Sequence, residues 1–323
     1  MIGAVIGFDT SCYTTSVAAA GTDGKVICSH RKLLEVETGS RGLRQSEAVF
    51  QHVHQLPNLV RMTADSLRET PIIAVCASTR PREDKDSYMP VFKAGRTVAE
   101  SVASMLRVPF FETDHQHGHF AAAAYESRIR VGESYTALHL SGGTTDLVLI
   151  EGDRLVNIGG SLDLHAGQLV DRTGVALGLG FPSGPSLEVL ARQGNAKAII
   201  PVSMTDGGLN CHLSGAESMV QRLIADGKTD KCNLAAEVYD FLARTVARMA
   251  LAGCEKTGTH QVLLAGGVSS SALFRELVIK RIHAKNNSIT VCFGHPEFSG
   301  DNAAGVALIG ARKIKNGGKE NEG

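Results

Sequence analysis

A repeated unit of three short strands restricts the fold of this chain more than any other feature of its sequence. Each unit has the same order: an apolar strand, a turn rich in hydroxyl or glycine residues, a second strand, a short turn and a third strand. The strands are predicted at 4–9, 16–20, 25–29, 136–140, 146–150 and 154–158. Because a repeat of this kind indicates a duplicated architecture, the sequence predicts two related lobes.

Helical and strand patterns alternate through the rest of the chain, which predicts an α/β protein. Helices are predicted at 47–67 with a break at Pro57, and at 91–106, 161–177, 185–193, 233–256, 270–284 and 302–313; strands are predicted at 72–77, 108–112, 261–265 and 289–293. We place the N-terminal lobe at 1–133 and the C-terminal lobe at 134–315, with a last helix able to pack back on the first lobe. The polar segment 316–323 is expected to be a flexible tail.

Composition excludes several classes of protein. Of the 323 residues, 43% are hydrophobic and 20% are charged, as in ordinary globular proteins, and no apolar run is long enough to predict a membrane span. Basic and acidic residues number 33 each, so bulk charge neither indicates nor excludes a nucleic-acid partner. The seven cysteines form no C-x-x-C pair and the N-terminus predicts a strand rather than a signal peptide, so we expect a cytoplasmic protein.

Three histidines, His115, His117 and His119, lie close together after the strand predicted at 108–112. If the segment is helical, His115 and His119 share one face and His117 points elsewhere. Neutral imidazoles are common ligands of zinc and iron. Two ligands do not complete a site, so a metal centre needs a third partner, and a histidine-rich surface helix remains the alternative.

Glycine-rich turns in the second lobe predict a site for an anionic ligand. The turn Ser141-Gly142-Gly143-Thr144-Thr145 offers backbone amides and hydroxyls of the kind that bind phosphate or carboxylate. A tight hairpin turn is the alternative, but the repeat of the hydroxyl turn in the first lobe favours ligand binding. Gly266-Gly267-Val268 joins a buried strand to a helix and could meet a nucleotide. Gly178-Leu179-Gly180 is a weaker signal, because it follows a helix rather than a strand.

Two such hairpins in duplicated lobes resemble the actin, sugar-kinase and Hsp70-type fold, whose lobes are ribonuclease-H-like. Within that fold the chain is similar to the tRNA threonylcarbamoyl-adenosine synthase family, the tRNA N6-adenosine threonylcarbamoyltransferases once labelled glycoproteases. The resemblance covers nearly the whole chain in order. It is carried by Asp9-Thr10-Ser11-Cys12, the His115 and His119 pair, Leu140 to Thr145, Leu162 to Asp171, Phe181 to Pro185, Leu213-Ser214-Gly215, Gly266-Gly267-Val268 and Gly300 to Gly305.

The resemblance implies a set of site residues. Asp301 would join His115 and His119 around one divalent metal ion, Fe²⁺ or Zn²⁺; taken alone, Asp301 could equally be the N-cap of the last helix. The implied catalytic residues are Asp9, Ser141, Gly142 and Gly143. The implied substrate and nucleotide contacts are Ser141, Gly142, Gly143, Thr144, Asp171, Gly184, Glu188, Gly266, Gly267 and Ser271, although Asp171 and Glu188 could also belong to solvated helix faces.

The resemblance also implies a reaction and partners. A threonylcarbamoyl group would pass from threonylcarbamoyl-adenylate to the N6 amine of the tRNA adenosine next to the anticodon, with the metal gripping threonyl or carbamoyl oxygens and the nucleotide in the second lobe. Since AMP is a good leaving group, the protein would mainly orient the acyl carbon and stabilise charge on its oxygen. A smaller homologous subunit and a separate ATPase are the expected protein partners.

Several positions depart from the pattern of the family. They are Tyr13 and Thr14 where acids are usual, Leu164 for a second aspartate, Gln168 for a glutamate, Ser183 for a glycine, Glu217 for a lysine and Ser271 for an asparagine. These positions belong to the nucleotide or tRNA side, whereas the metal side is intact. A divergent paralogue with another acceptor, or a scaffold that binds metal and nucleotide without turnover, is therefore the alternative function.

Two other enzyme classes fit less well. A zinc endopeptidase needs a glutamate next to the first histidine as general base, and Gln116 cannot serve in that role. An ATP-driven sugar kinase or chaperone-like ATPase shares the fold but has no use for a histidine pair. Phosphate release from ATP without an acceptor would favour the ATPase, and bound nucleotide without turnover would favour the scaffold.

Overall fold

The chain folds around two sheets, one in each of two compact units. The computed structural model describes residues 3–11, 13–36, 43–83, 87–130, 132–152, 154–298 and 300–320. The first unit comprises Met1–Tyr125 and Gly300–Gly323, and the second comprises Glu126–Ser299. Both ends of the sequence therefore contribute to the first unit.

The elements, in chain order, carry the following bounds: β1 (Ala4–Thr10), β2 (Thr14–Gly21), β3 (Val26–Leu33), α1 (Gln45–Leu67), β4 (Ile72–Ser78), α2 (Val91–Leu106), β5 (Phe110–Thr113), α3 (His115–Ala124), β6 (Tyr135–Leu140), β7 (Thr145–Glu151), β8 (Arg154–Ser161), α4 (Ala166–Ala176), α5 (Gly184–Ala191), β9 (Ser203–Thr205), β10 (Asn210–His212), α6 (Ser214–Asp226), α7 (Lys231–Thr257), β11 (Gln261–Ala265), α8 (Ala272–His283), β12 (Thr290–Phe293) and α9 (Ala304–Glu320).

The first unit contains a five-stranded sheet in the order β3-β2-β1-β4-β5. β1, β2 and β3 form the predicted antiparallel meander, and β4 and β5 continue the sheet as parallel strands. The two faces of β1 contact different helices, because successive side chains of a strand alternate. Phe8 packs with Leu56 of α1, whereas Val5 packs with Val306 of α9. Helix α9 thus lies against the strand that carries Asp9.

The second unit contains a seven-stranded sheet in the order β12-β11-β6-β7-β8-β10-β9. β6, β7 and β8 are the second antiparallel meander, so the predicted repeat is confirmed. β11 pairs in parallel with both β6 and β12. The long helix α7 begins at Asp230, whose side chain accepts hydrogen bonds from the amides of Cys232 and Asn233, and it buries most of its length in the core. None of the described helices is long and apolar enough to cross a membrane.

The structure corrects the predicted break at Pro57. α1 is one helix from Gln45 to Leu67 with Pro57 inside it. A proline removes one helical hydrogen bond and does not by itself end a helix whose apolar face is buried. Here His52, Leu56 and Leu59 are buried on both sides of the proline, so packing holds the helix together.

Other element bounds also differ from the sequence predictions. The helix predicted at 161–177 begins only at Ala166, after β8 has continued to Ser161. β9, β10 and α6 were not predicted. The last helix extends to Glu320, so the tail predicted from 316 is helical as far as the described residues reach. The sequence places the lobe boundary between 133 and 134, and the compact units divide between Tyr125 and Glu126.

Candidate functional site

The segment with the three histidines is helical and forms α3, so His115 and His119 share one face of the helix. Asp114 is its N-cap, and its side chain accepts a hydrogen bond of 2.8 Å from the amide of His117. The first-turn amides of His115 and Gln116 donate to the carbonyl oxygens of Arg80 and Pro81 at 2.9 and 3.0 Å. These contacts fix the beginning of the helix, and the rings of His115 and His119 lie 4.4 Å apart between centroids.

Asp301 completes a cluster of three potential ligands within the first unit. His115 Nε2 and His119 Nε2 are 3.0 Å apart. Asp301 Oδ1 lies 3.2 Å from His119 Nε2 and 3.6 Å from His115 Nε2. Asp301 does not cap α9, because the amide of Ala304 donates to Asn302 Oδ1 instead. The three side chains that the resemblance assigns to the metal therefore converge, and they meet the geometric condition for holding one ion.

A second layer of hydrogen bonds orients two of these ligands. Asp9 Oδ1 accepts a hydrogen bond of 2.9 Å from His115 Nδ1 and a shorter one from the buried hydroxyl of Ser78. With its hydrogen on Nδ1, His115 directs the Nε2 lone pair into the cluster, as metal-bound histidines do. Ser11 Oγ donates to Asp301 Oδ2 at 2.8 Å, which leaves Oδ1 facing the histidines. Two imidazoles and one carboxylate form a donor set suited to Fe²⁺ or Zn²⁺.

Opposite charges in the cluster shift its pKa values. Burial opposes a charge on His115, but the carboxylates of Asp9, Asp301 and Asp114 outweigh burial and raise the pKa of His115 to about 9. Burial also opposes a charge on Asp301, yet the hydrogen bond and charge of His119, the charge of His115 and the Ser11 hydroxyl hold the pKa of Asp301 far below its usual range. The cluster thus favours positive charge beside Asp301, from protons or from a metal ion.

The approach of α3 to α9 depends on two glycines. A Cβ on Gly305 would lie 1.8 Å from the carbonyl oxygen of Gly118, and a Cβ on Gly118 would lie 3.1 Å from a methyl group of Val306. At position 305 this contact requires glycine, because no side chain fits against the Gly118 backbone, whereas at position 118 a methyl group would fit if the Val306 side chain shifted slightly. The glycine pair therefore brings the segment with Asp301 close to the helix with the two histidines.

The second unit contains a separate cavity of about 440 Å³. Of the residues predicted to bind substrate or nucleotide, Ser141, Gly142, Asp171, Gly184, Glu188, Gly267 and Ser271 line it. Gly143, Thr144 and Gly266 do not line it. The lining also contains seven residues that were not among the implied contacts: Gly167, Val170, Pro182, Pro185, Tyr239, Val268 and Ser270. Five of them lie in the motifs that carry the family resemblance, whereas Tyr239 and Ser270 lie outside those motifs.

Two backbone amides of the turn between β6 and β7 are hydrogen-bonded within the turn itself. Ser141 Oγ accepts hydrogen bonds from the amides of Gly143 and Thr144 at 3.2 and 3.1 Å. The hydroxyl of Thr144 lies 3.2 Å from Ser141 Oγ and 3.1 Å from His139 Nδ1. An anionic ligand that binds these amides must first displace the Ser141 hydroxyl. Gly266 packs directly against the residue that precedes this turn. Its φ is +89°, and a Cβ there would lie 2.5 Å from the carbonyl oxygen of Leu140.

Polar groups on the other side of the cavity are tied to its walls. Glu188 Oε1 accepts from the amide of Leu273 at 2.9 Å, and the Ser271 side chain caps α8. Burial opposes the Glu188 charge, but the Leu273 amide, Ser271 and Arg192 outweigh it and lower the pKa of Glu188. The hydroxyl of Tyr239 donates to a backbone carbonyl at 3.0 Å, and burial raises its pKa to about 12. Glu188 is therefore a partly buried anion of the cavity wall rather than a solvated helix residue.

Most positions that depart from the family pattern have structural roles. Leu164 is buried in the core of the second unit. Gln168 accepts a hydrogen bond of 3.2 Å from the amide of His165 at the beginning of α4. The hydroxyl of Ser183 donates to the carbonyl oxygen of Gly180 at 2.8 Å. Tyr13 is half exposed, Thr14 is buried in β2, and Glu217 lines a second cavity of about 350 Å³. Cys12, which belongs to one of the resemblance motifs, lies outside the described residues.

Comparison with protein families identifies the group to which this arrangement belongs. The sequence profile described as TsaD, tRNA N6-adenosine threonylcarbamoyltransferase, matches residues 88–308. The chain belongs to this family. The matched range contains the histidine pair, the cavity of the second unit and Asp301. The family resemblance stated from the sequence motifs is therefore confirmed.

A relative and two solved structures extend the comparison. A tRNA N6-adenosine threonylcarbamoyltransferase from Neorickettsia sennetsu is 26% identical over 320 residues, which cover 97% of this chain and 94% of the relative. HypF from T. kodakarensis has a TM-score of 0.63 at 14% identity, covering 98% of this chain and 48% of HypF. A ROK hexokinase from Thermus thermophilus has a TM-score of 0.54 at 15% identity, covering 97% of this chain and 99% of the hexokinase. The predicted actin and sugar-kinase type of fold is confirmed.

Proposed function

We propose that this TsaD-family protein transfers a threonylcarbamoyl group from threonylcarbamoyl-adenylate to the N6 amine of the tRNA adenosine next to the anticodon, with the assistance of one divalent metal ion. The observation that carries the proposal is the convergence of His115, His119 and Asp301, with Asp9 holding the His115 tautomer. A sugar kinase has no use for this donor set. Family membership supplies the reaction class, and the donor set supports metal assistance.

The residues of the first unit would hold the metal and keep it in place. A bound Fe²⁺ or Zn²⁺ ion supplies a Lewis acid that polarises a carbonyl oxygen. Asp9 fixes the lone pair of His115 toward the ion, and Ser11 fixes the orientation of Asp301. Because these side chains are pre-oriented, they need little reorganisation when substrate arrives.

The cavity of the second unit would hold the adenylate part of the donor. Its lining includes Gly142 and Gly267, where a Cβ would meet open space and backbone can approach a nucleotide closely. The amides of Gly143 and Thr144 become available when the Ser141 hydroxyl turns away, and they would then bind the phosphate or the oxygen on which charge develops. Protein partners would be a smaller homologous subunit and a separate ATPase, in the cytoplasm.

The direct test is reconstitution. Purified protein is incubated with threonylcarbamoyl-adenylate and unmodified tRNA, with and without the candidate partner subunits, and digested tRNA is analysed by mass spectrometry for the threonylcarbamoyl nucleoside. We expect the modified nucleoside only when metal is present. Its absence with a partner set that is active with another family member would contradict the proposal.

The second candidate function is a divergent paralogue that binds metal and nucleotide but uses another acceptor or none. The observation that favours it is that the departures from the family pattern lie on the nucleotide and tRNA side, including Glu217 in place of a lysine at the second cavity. In this case AMP and metal would bind, and no modified tRNA would form. The reconstitution therefore separates the two functions in one experiment.

A further inference from the structure

A buried histidine on α1, His52, faces the end of β1 in the first unit. Its side chain is fully buried. His52 Nε2 lies 2.9 Å from the carbonyl oxygen of Ser11, and His52 Nδ1 lies 2.7 Å from the hydroxyl of Thr15. Because a carbonyl oxygen can only accept, Nε2 carries the hydrogen of this contact. The histidine therefore donates to the backbone of the turn between β1 and β2.

The same network continues through Thr15 and Gln55. The Thr15 hydroxyl lies 2.7 Å from Gln55 Oε1, and Gln55 Nε2 donates to the carbonyl oxygen of Leu33 at 3.3 Å. These polar groups are buried between α1 and the meander. A buried polar network is costly unless its members are satisfied, and when satisfied it fixes one geometry.

The geometry that this network fixes is that of Ser11. The Ser11 carbonyl is held by His52, and its amide donates to the carbonyl oxygen of Thr14 at 3.2 Å. With the backbone held from both sides, the Ser11 hydroxyl points to Asp301 Oδ2 at 2.8 Å. A continuous chain of hydrogen bonds thus joins α1 to a candidate metal ligand far away in the sequence.

We infer that His52 is a positioning residue of the metal centre, which acts through Ser11 on the orientation of Asp301. The inference rests on the proposed metal site and adds to it a residue outside the ligands and their direct partners. Loss of the His52–Ser11 hydrogen bond lets the turn move and frees Asp301 to rotate. Since partners of metal ligands typically contribute 10- to 100-fold to metal affinity, we expect about a tenfold loss for this more distant group.

Two substitutions separate the contacts made by the ring. His52→Gln can place its amide near the position of Nε2 and keep the donor to Ser11. His52→Asn can reach only the position of Nδ1, so it keeps the Thr15 contact and loses Ser11. Leu56→Ala is the matched control, because Leu56 is fully buried one turn further along α1 and its loss weakens packing without breaking this chain of hydrogen bonds.

The measurement is the dissociation constant for Co²⁺, used as a spectroscopic substitute for Fe²⁺ or Zn²⁺, together with the visible absorption of the bound ion and the unfolding midpoint of the metal-free protein. We expect about tenfold weaker Co²⁺ binding and an altered spectrum for H52N, and binding within about threefold of the wild type for H52Q and L56A. The variant Ser11→Ala should bind Co²⁺ more weakly by a similar factor. The double variant with H52N should bind little more weakly than either single variant, because both changes act on the same contact.

Each result decides between the roles of His52. Wild-type affinity in H52N overturns the inference and leaves the proposed metal site intact. If H52N and L56A lose Co²⁺ affinity to the same extent, in proportion to the fall in their unfolding midpoints, His52 has a packing role. This result also overturns the inference. If the wild-type protein binds no Co²⁺, Fe²⁺ or Zn²⁺, the proposed metal site fails and the inference fails with it.

Discussion

His115 connects two layers of the candidate metal site, because its two ring nitrogens face different groups. Nδ1 donates to Asp9 at 2.9 Å, and Nε2 faces His119 and Asp301. The sequence alone suggested the His115 and His119 pair from its spacing. It could not show the contacts with Asp9, because that residue is distant in the sequence and no local pattern connects the two.

The first prediction concerns the ligand role of His115. His115→Ala should abolish stoichiometric metal and transfer activity together, because two remaining ligands do not hold an ion firmly. The matched control is His54→Ala, which removes an exposed histidine of α1 and should leave both unchanged. Metal content is measured by elemental analysis after dialysis, and transfer by nucleoside mass spectrometry. Stoichiometric metal in H115A would show that His115 is not a ligand.

The second prediction concerns the pH dependence of metal binding. The pKa of His115 in the metal-free protein is raised to about 9 by Asp9, Asp301 and Asp114, against the effect of burial. Metal must displace this proton, so the apparent affinity for Co²⁺ should rise almost tenfold per pH unit well below this pKa, and about 50-fold between pH 7 and pH 9. Asp9→Asn removes the nearest negative charge, lowers the pKa of His115 and should reduce this ratio below about tenfold.

The measurement is competition with a chelator of known pH dependence. An equal slope in the wild-type protein and D9N would mean that Asp9 does not control the His115 proton. A flat profile in the wild type would mean that His115 is already neutral at pH 7. Either outcome would contradict the second prediction without depending on transfer activity.

At the scale of elements, the contact between α3 and α9 should control whether the cluster forms. Gly305→Ala would place a methyl group 1.8 Å from the Gly118 carbonyl oxygen, so the helices must separate. We expect a loss of about 1–3 kcal/mol or more in the free energy of unfolding, with loss of metal. Gly118→Ala is the milder variant, because its Cβ would meet only a Val306 methyl group at 3.1 Å.

The matched control for this third prediction is Gly317→Ala. Gly317 is in the same helix, and a Cβ there has open space. This change should leave metal binding intact and stabilise the protein by up to about 1 kcal/mol, because alanine favours helix. Urea unfolding and Co²⁺ titration measure the two effects. Undiminished metal affinity in G305A would show that the glycine contact does not position Asp301.

Asp163 connects two elements of the second unit. Its carboxylate accepts hydrogen bonds from the amides of Leu164 and Leu213 at 2.6 and 2.8 Å and from the Ser214 hydroxyl at 2.5 Å. Burial opposes its charge, but these donors outweigh burial and lower its pKa to about 2. The side chain therefore joins the turn before α4 to the beginning of α6.

The fourth prediction follows from this lowered pKa. Because the folded-state pKa of Asp163 lies below the unfolded value near 4, its ionised form stabilises the protein above pH 4, and the contribution is lost as pH falls toward 2. Asp163→Asn should cost about 2 kcal/mol at pH 7 and clearly less at pH 3, as measured by urea unfolding. Asp226→Asn, at the exposed end of α6, is the control and should cost under about 0.5 kcal/mol. An equal cost of D163N at both pH values would contradict the electrostatic explanation.

The elements themselves were largely predictable, because their signals are local. The pattern of apolar residues predicted both meanders, and helical spacing predicted α2 with the same bounds as in the structure. The failures have physical reasons. Packing kept α1 continuous through Pro57, and the short strands β9 and β10 are only three residues each, too short for a periodic pattern.

At the scale of the whole molecule, the sites depend on contacts that no local pattern reveals. Asp301 was suggested by resemblance, and its own sequence context left an N-cap equally open. Ser78, which donates to Asp9, carried no signal beyond its place at the end of a buried strand. The occupation of the Gly143 and Thr144 amides by the Ser141 hydroxyl could not be predicted, because it depends on one side-chain rotamer.

The last prediction concerns the assignment of one ligand to each compact unit. Residues of the candidate metal cluster all belong to Met1–Tyr125 with Gly300–Gly323, and residues of the proposed nucleotide cavity all belong to Glu126–Ser299. A ligand stabilises the region that binds it by about 2.7 kcal/mol at a concentration 100 times its Kd. In hydrogen exchange, Co²⁺ should therefore protect β1, α3 and α9 most strongly, and AMP should protect α4, α5 and α8. The H115A variant is the internal control, since it should lose the protection by Co²⁺ and retain the protection by AMP. If AMP protects α3 and α9 most strongly, or H115A loses both effects, the nucleotide does not bind in the cavity of the second unit.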